Sequence, residues 1–159
     1  MMFRPVRKQK RALSEEAAKK ILRSARRGVL AMNGVEGYPY AIPINYFYDE
    51  ENGKIYFHGA RAGHKVEALN ACDKICFTVT GSEIIRDEAW APYMQSAVVF
   101  GRCRLMERSE QAMAVLRRLA MKYYPNEKLV DDEIKADGKA VQMFEITIEH
   151  ISGKEVQER

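Results

Sequence analysis

The side chains of residues 38–48 alternate without a break: Tyr40, Ile42, Ile44, Tyr46 and Tyr48 fall on one face of an extended chain, and Ala41, Pro43, Asn45 and Phe47 on the other. Successive strand residues point to opposite faces, so this period commits the segment to a β-sheet and fixes which side is buried. Pro43 cannot donate a ladder hydrogen bond, which places the strand at an edge or beside a gap. Other strands surround it. Residues 29–33 form an apolar run closed by the turn at 34–37. Residues 54–59 (KIYFHG) return after the turn at 49–53, and residues 74–80 (KICFTVT) are β-branched and aromatic. Residues 93–106 read as a long strand in which Gly101 marks a bulge or bend. The last strand runs from 140 to about 150, with Phe144, Ile146, Ile148 and His150 facing one way.

Helical spacing appears between these strands. Ser14 followed by Glu15 and Glu16 has the chemistry of a helix start. Ala17, Ala18, Ile21, Leu22 and Ala25 then recur at helical intervals, which predicts a helix over 15–27 stopped by Gly28. Val66 and Leu69 share one side of a short helix after Ala60. Ser109 caps a longer helix whose stripe is Ala112, Met113, Val115, Leu116, Leu119, Ala120 and Tyr123, ended by Pro125. Residues 126–139 are polar, with a short helix expected around 131–135. Residues 81–92 hold the single tryptophan, Trp90, in a long connection of the kind that is functional or mobile. Six mostly antiparallel strands do not stay open and flat, so the expected fold is mainly β (α+β), a six-stranded barrel with flanking helices. One domain over 1–159 is expected, with 1–13 as a basic N-terminal arm.

Composition removes several classes. With 47% hydrophobic and 30% charged residues the chain has enough apolar surface for a core. Its net charge of +4 resides in Arg4, Arg7, Lys8, Lys10 and Arg11 at the start, and the body is close to neutral. A solvated tail is the simpler reading than a nucleic-acid arm. No segment reaches the roughly 18 apolar residues of a membrane span, and no apolar signal core follows the basic start, so a cytoplasmic location is expected. Three cysteines, Cys72, Cys76 and Cys103, suit neither a disulfide framework nor a zinc site.

The chemistry is concentrated in residues 57–65 (FHGARAGHK), between a strand end and a helix start. Small residues let a ligand approach the backbone, free N–H groups at the helix start favour an anion, and Arg61, His64 and Lys65 supply charge. The spacing is neither a Walker loop nor a dinucleotide turn. A phosphate site and a plain basic turn both fit it. His58 alone reads as a sheet residue.

Residues 37–46, 55–65 and 93–107, in that order and at those distances, resemble the pyridoxamine 5'-phosphate oxidase-like split barrels, nearest the nitroimidazole reductase branch. In that branch the patterns at these stretches are G-x-P-Y-x-x-P-x-x-Y/F, then I-Y-F-H-x-A-x-x-G-x-K, then Y-x-S-V-x-x-x-G, and the first two stand residue for residue in this chain. The resemblance implies an FMN-binding split β-barrel and a homodimer with flavin at the subunit interface. It places His58, Gly59, Ala60, Arg61, His64 and Lys65 around the phosphate. Pro43, Ile44, Asn45 and Tyr46 would flank the ring, with Trp90, Tyr93 and Ser96 approaching from the partner chain. Oxidases acting on pyridoxamine phosphate carry a Ser-x-Lys motif and C-terminal arginines for substrate. Here the turn reads Gly63-His64-Lys65 and the C-terminal strand offers no such clamp, so that substrate is not expected. The implied activity is FMN-dependent oxidoreduction of a small planar molecule, such as a nitroaromatic, with His58 or Tyr46 as the polar groups nearest the ring. A flavin carrier or sensor without turnover is one alternative. A heme-binding barrel using His58, His64 or His150 is another. Neither nucleic acid nor a membrane is expected as a partner.

Overall fold

The computed structural model describes residues 2–88 and 90–157. After a 3₁₀ turn at Gln9–Arg11, the elements are β1 (Ala12–Leu13), α1 (Glu15–Ser24), β2 (Gly28–Asn33), β3 (Pro39–Ile44), β4 (Phe47–Asp49) and β5 (Lys54–Gly59). They continue as α2 (His64–Ala71), β6 (Lys74–Thr80), β7 (Tyr93–Leu105), α3 (Glu110–Tyr123), α4 (Glu127–Asp137), a second 3₁₀ turn and β8 (Gln142–Gln157). All strand pairs are antiparallel, in the order β3-β2-β6-β7-β8-β5-β4, with β1 added to β8.

That order decides the shape. β3 and β4 are the two ends of the path, yet only Asn45 and Tyr46 connect them. A few residues of extended chain span on the order of 10 Å, so the sheet must curl until its edges meet. The resulting barrel is joined there by the covalent chain, without a ladder between β3 and β4. A split lies along that seam. Pro43 sits on the edge strand β3, where its missing N–H costs nothing. The long pair β7–β8 shifts register between Phe100 and Gly101, the bulge foreseen at this glycine. A Cβ on Gly101 would stand 2.3 Å from the Thr147 carbonyl oxygen, so the strands can come this close only at glycine.

The barrel interior contains Leu30, Phe57, Phe77, Val99, Phe144 and Ile146, all essentially fully buried, with Ala18, Ile21 and Leu22 of α1 packed against them. A second cluster lies outside the barrel, where Val115, Leu116 and Leu119 of α3 cover Tyr56 and Met143 of β5 and β8.

Four sequence expectations are revised. The described residues form eight strands where six were expected, because β1 adds to β8 and the alternating 38–48 segment breaks into β3 and β4 at the split. Helix α1 ends at Ser24 instead of 27. Ala25 turns to an extended conformation (ψ 141°), and side chains of α3 take the carbonyls of Ala25 and Arg26. Gly28 is therefore no helix stop. It admits the Phe77 ring, which would lie 2.2 Å from a Cβ there. Residues 127–137 form a full helix, capped by Asn126 Oδ1 accepting from Leu129 N–H at 3.0 Å, because Val130 and Ile134 find an apolar face to pack on. Finally, β8 continues to Gln157, paired with β7 from Phe144 onward.

Candidate functional site

The break in the ladder at Asn45–Tyr46 leaves backbone groups that need partners. They come from α3. Tyr46 N–H donates to Tyr123 Oη at 2.9 Å, and Lys122 Nζ donates to the carbonyls of Tyr46 (2.9 Å) and Ala25 (3.0 Å). Tyr123 Oη in turn donates to the Arg26 carbonyl at 2.6 Å, with the Tyr46 carbonyl 3.1 Å away. Two side chains thus tie the α1–β2 link to the seam of the barrel. Lys122 is half-buried. Loss of hydration first, and the Arg26 guanidinium second, pull its pKa down to about 8. The two carbonyls and the Tyr46 ring, 3.8 Å from Nζ, favour the ammonium and work against that shift.

Beside this clamp opens a cavity of about 390 Å³ lined by Arg27, Ile42, Pro43, Ile44, Asn45, His58 and Lys65. One wall is the edge strand β3, which pairs only with β2 and so presents a row of unpaired backbone groups. The facing wall is the end of β5 and the start of α2. Lys65 reaches across Gly59 and lies over the stacked rings of Phe57 and Phe144, its Nζ 5.4 and 5.1 Å from their centroids. A Cβ on Gly59 would stand 2.6 Å from that ammonium, so the glycine makes its seat. Burial lowers the pKa of Lys65 from its ordinary value, partly countered by Cys103. Among the described residues neither Lys65 nor Arg27 has a carboxylate within ion-pair distance.

His58 stands between this cavity and a second, of about 430 Å³, that runs between α3 and α4. Its pKa is lowered, first by partial loss of hydration and then by the Lys65 charge, so the imidazole is neutral near pH 7. Its ring nonetheless keeps one exposed side.

The other expected site residues divide. Pro43, Ile44, Asn45, His58 and Lys65 meet at one cavity, with Gly59 directly beneath Lys65. Tyr46 contributes backbone only. Its phenol is fully buried and donates to the Leu22 carbonyl, and burial pushes its pKa well up, so it is not available as an acid. His64 leaves the cavity: its Nε2 accepts from Val35 N–H at 3.2 Å and its ring stacks on Tyr40 at 4.1 Å. Arg61 lines a separate cavity with Met106 and Arg108, and Ala60 is exposed on the turn before it. Tyr93 and Ser96 lie toward the other end of the β7–β8 ladder, opposite Gln157 and Lys154, whereas the cavity end is opposite Phe144. Trp90 is 84% exposed on the connection before β7. Those three are not part of this chain's own cavity. Sequence reasoning missed Arg27, read as the last residue of a helix, and the pair Lys122 and Tyr123, read as a helix end and an apolar stripe.

The three histidines do not converge. His150 lies beneath the Phe3 ring at 4.8 Å, with its buried Nε2 unpartnered among the described residues. No group of three or more potential metal ligands gathers among the described residues. Among them, no helix is long and apolar enough to cross a membrane.

The family model for pyridoxamine 5'-phosphate oxidase matches residues 14–155. The chain belongs to this family. No curated protein matches it significantly. Among solved structures it is similar to a candidate 5-nitroimidazole antibiotic resistance protein from Bacteroides thetaiotaomicron, with 20% identity and a TM-score of 0.73 over 91% of this chain and 86% of that one. It is also similar to an FAD-binding protein from Mesorhizobium loti (22% identity, TM-score 0.64, 92% and 98% covered). A third is an FAD- and heme-binding protein from Mycobacterium smegmatis (18% identity, TM-score 0.72, 95% and 75% covered). At these identities the likeness is one of fold, and it agrees with the split barrel built up from the strand order.

Proposed function

We propose that the cavity at the split binds FMN and that the protein is an FMN-dependent oxidoreductase acting, as a homodimer, on a small planar substrate. The observation that carries this reading is the convergence of two carboxylate-free cations, Arg27 and Lys65, with the bare edge of β3 on a single cavity. Two such cations suit a phosphate monoester. Unpaired peptide groups along β3 suit the hydrogen-bonding rim of a flavin ring. The glycine seat under Lys65 and the Gly63 start of α2, where φ of +128° leaves the first helical N–H groups uncapped by a side chain, support an anion at the same end. Family membership and structural relatives that bind flavin point the same way.

When bound, the flavin supplies the electron chemistry, and the chain supplies orientation, charge and access. Arg27 and Lys65 hold the phosphate. Pro43, Ile44 and Asn45 align the ring along β3. His58, neutral and facing both cavities, donates or accepts a hydrogen bond at the substrate side. The Lys122–Tyr123 clamp keeps the two cavity walls that carry Arg27 and Asn45 in register. A carrier or sensor would share this cavity and differ in turnover, exchanging electrons once without sustained consumption of a reduced nicotinamide.

The test is titration of the purified protein with FMN, followed by flavin absorption and size exclusion. Uptake of FMN on a dimer-sized species is expected. The double variant Arg27→Ala/Lys65→Ala removes two charge-assisted contacts of about 1.5–3 kcal/mol each, which predicts at least about a 100-fold loss of affinity. Unchanged affinity in that variant would overturn the phosphate assignment.

A further inference from the structure

On the other side of His58 and Asn45, which line both spaces, lies the chamber of about 430 Å³ between α3 and α4. Its walls are Leu116, Leu119 and Ala120 of α3, Leu129, Val130 and Ile134 of α4, and Val141. Helix α4 forms one side because Val130 and Ile134 lie one helical turn apart on a single face. Among the described residues the charged ones that line it are Glu133 and Asp137, also a turn apart and both exposed. Neither has an ion-pair partner among the described residues. Among the described residues no lysine or arginine lines the chamber.

The two adjoining spaces therefore have opposite character. The cavity at the split is cationic, and the α3–α4 chamber is apolar with an acidic mouth. We infer that the chamber binds the apolar body of the substrate, and that it selects neutral or cationic aromatic molecules and rejects carboxylates and phosphates. This deepens the flavin reading and rests on it for the claim that the bound molecule is a substrate. Three features commit the site to a small molecule. The volume suits a compact aromatic molecule, since ligand pockets run to about 300–1,000 Å³. The chamber opens onto the neutral imidazole of His58, which also borders the proposed flavin cavity. The uncompensated carboxylates at its mouth repel anions and leave uncharged or cationic compounds free to enter.

Three probes of similar size test this: 4-nitrobenzyl alcohol, 4-nitrobenzyltrimethylammonium and 4-nitrobenzoate, titrated by calorimetry into the protein with and without saturating FMN. The alcohol and the cation are expected to bind, with 4-nitrobenzoate at least about tenfold weaker, as apolar burial and like-charge repulsion combine. Ala120→Leu narrows the chamber from the α3 side and should weaken the neutral probe by about tenfold while FMN affinity is unchanged. The paired reversal Glu133→Lys/Asp137→Lys, at two exposed positions, should raise 4-nitrobenzoate affinity by about threefold or more, since exposed charges each contribute modestly. Binding of 4-nitrobenzoate as tightly as the alcohol overturns the inference. So does neutral-probe affinity that Ala120→Leu leaves unchanged, and so does a switch from dimer to monomer in that variant with probe binding intact, which would make the chamber a subunit contact. Probe binding in the predicted rank without any FMN uptake would sustain the chamber and sink the flavin reading, so the two failures are distinguishable.

Discussion

The clamp at the split gives the sharpest prediction. Tyr123→Phe removes one oxygen and keeps the ring, so packing on Arg26, whose guanidinium lies 5.2 Å from the ring centroid, is retained. The lost atom is the acceptor for Tyr46 N–H at 2.9 Å and the donor to the Arg26 carbonyl at 2.6 Å. A net hydrogen bond contributes about 0.5–1.5 kcal/mol, and an orphaned buried donor costs about 1–3 kcal/mol. Tyr123 is only half-buried, so water can reach part of the gap and the top of that range does not apply: about 2 kcal/mol is expected. For a domain of this length each kcal/mol moves Tm by about 2–4 °C, which puts the fall at about 4–8 °C. Urea unfolding should show a lower midpoint with an unchanged slope, because the surface exposed on unfolding is the same. Tyr124→Phe is the control: Tyr124 is 65% exposed, and its loss should stay within about 0.5 kcal/mol. A Tyr123→Phe loss below about 0.5 kcal/mol would mean that water satisfies the seam and that the clamp does not tie the α1–β2 link to it.

Other outcomes follow from the same geometry. Tyr46→Phe should cost about 1–2 kcal/mol in stability, through the lost bond to the Leu22 carbonyl, yet leave the pH profile of any turnover unchanged; a lost pH limb would restore Tyr46 as a proton donor. Gly59→Ala should displace the Lys65 ammonium and weaken FMN binding without a large fall in Tm, since the atom in the way is the end of a flexible side chain; equal affinity would place the anion elsewhere. For Lys122 the folded pKa of about 8 lies below the ordinary 10.5, so between those values the unfolded chain holds the proton that the folded chain has released. Stability from this group must then rise as pH climbs from about 8 toward 10.5, and Lys122→Met should flatten that rise; an identical pH dependence in the variant refutes the assignment.

How much of this was legible in the sequence depends on the range of the forces involved. Alternation at 38–48 and in the segments around it identified the strands, Pro43 marked an edge, and Gly101 marked the bulge, because strand period, ring closure and the missing Cβ act locally. The Ser14 and Ser109 starts are likewise local, each a side-chain oxygen accepting a backbone N–H three residues on. The 57–65 segment was recognisable as chemical because small and basic residues are concentrated there. It did not reveal which of its cations face the cavity. Lys65 turns in over Gly59, whereas His64, one residue away, turns out to Val35 and Tyr40.

What only the tertiary structure decided are the features made by residues distant in the chain. Arg27 joins Lys65 because the sheet closes β3 back toward β5, and nothing in the run Arg26-Arg27-Gly28 states that. Tyr46 alternates with the barrel-facing tyrosines as the period requires, yet its peptide group escapes the ladder because the two edges meet without pairing, and α3, some 76 positions later, supplies the partners. The sequence by itself determined most of the strands, the Ser14 and Ser109 caps and the concentration of small and basic residues at 57–65, through interactions between near neighbours. The position of the split, the side chains that tie the α1–β2 link to it and the cavity that opens beside it were decided by strand order, since curling a seven-strand path on a two-residue connection is a property of the whole sheet.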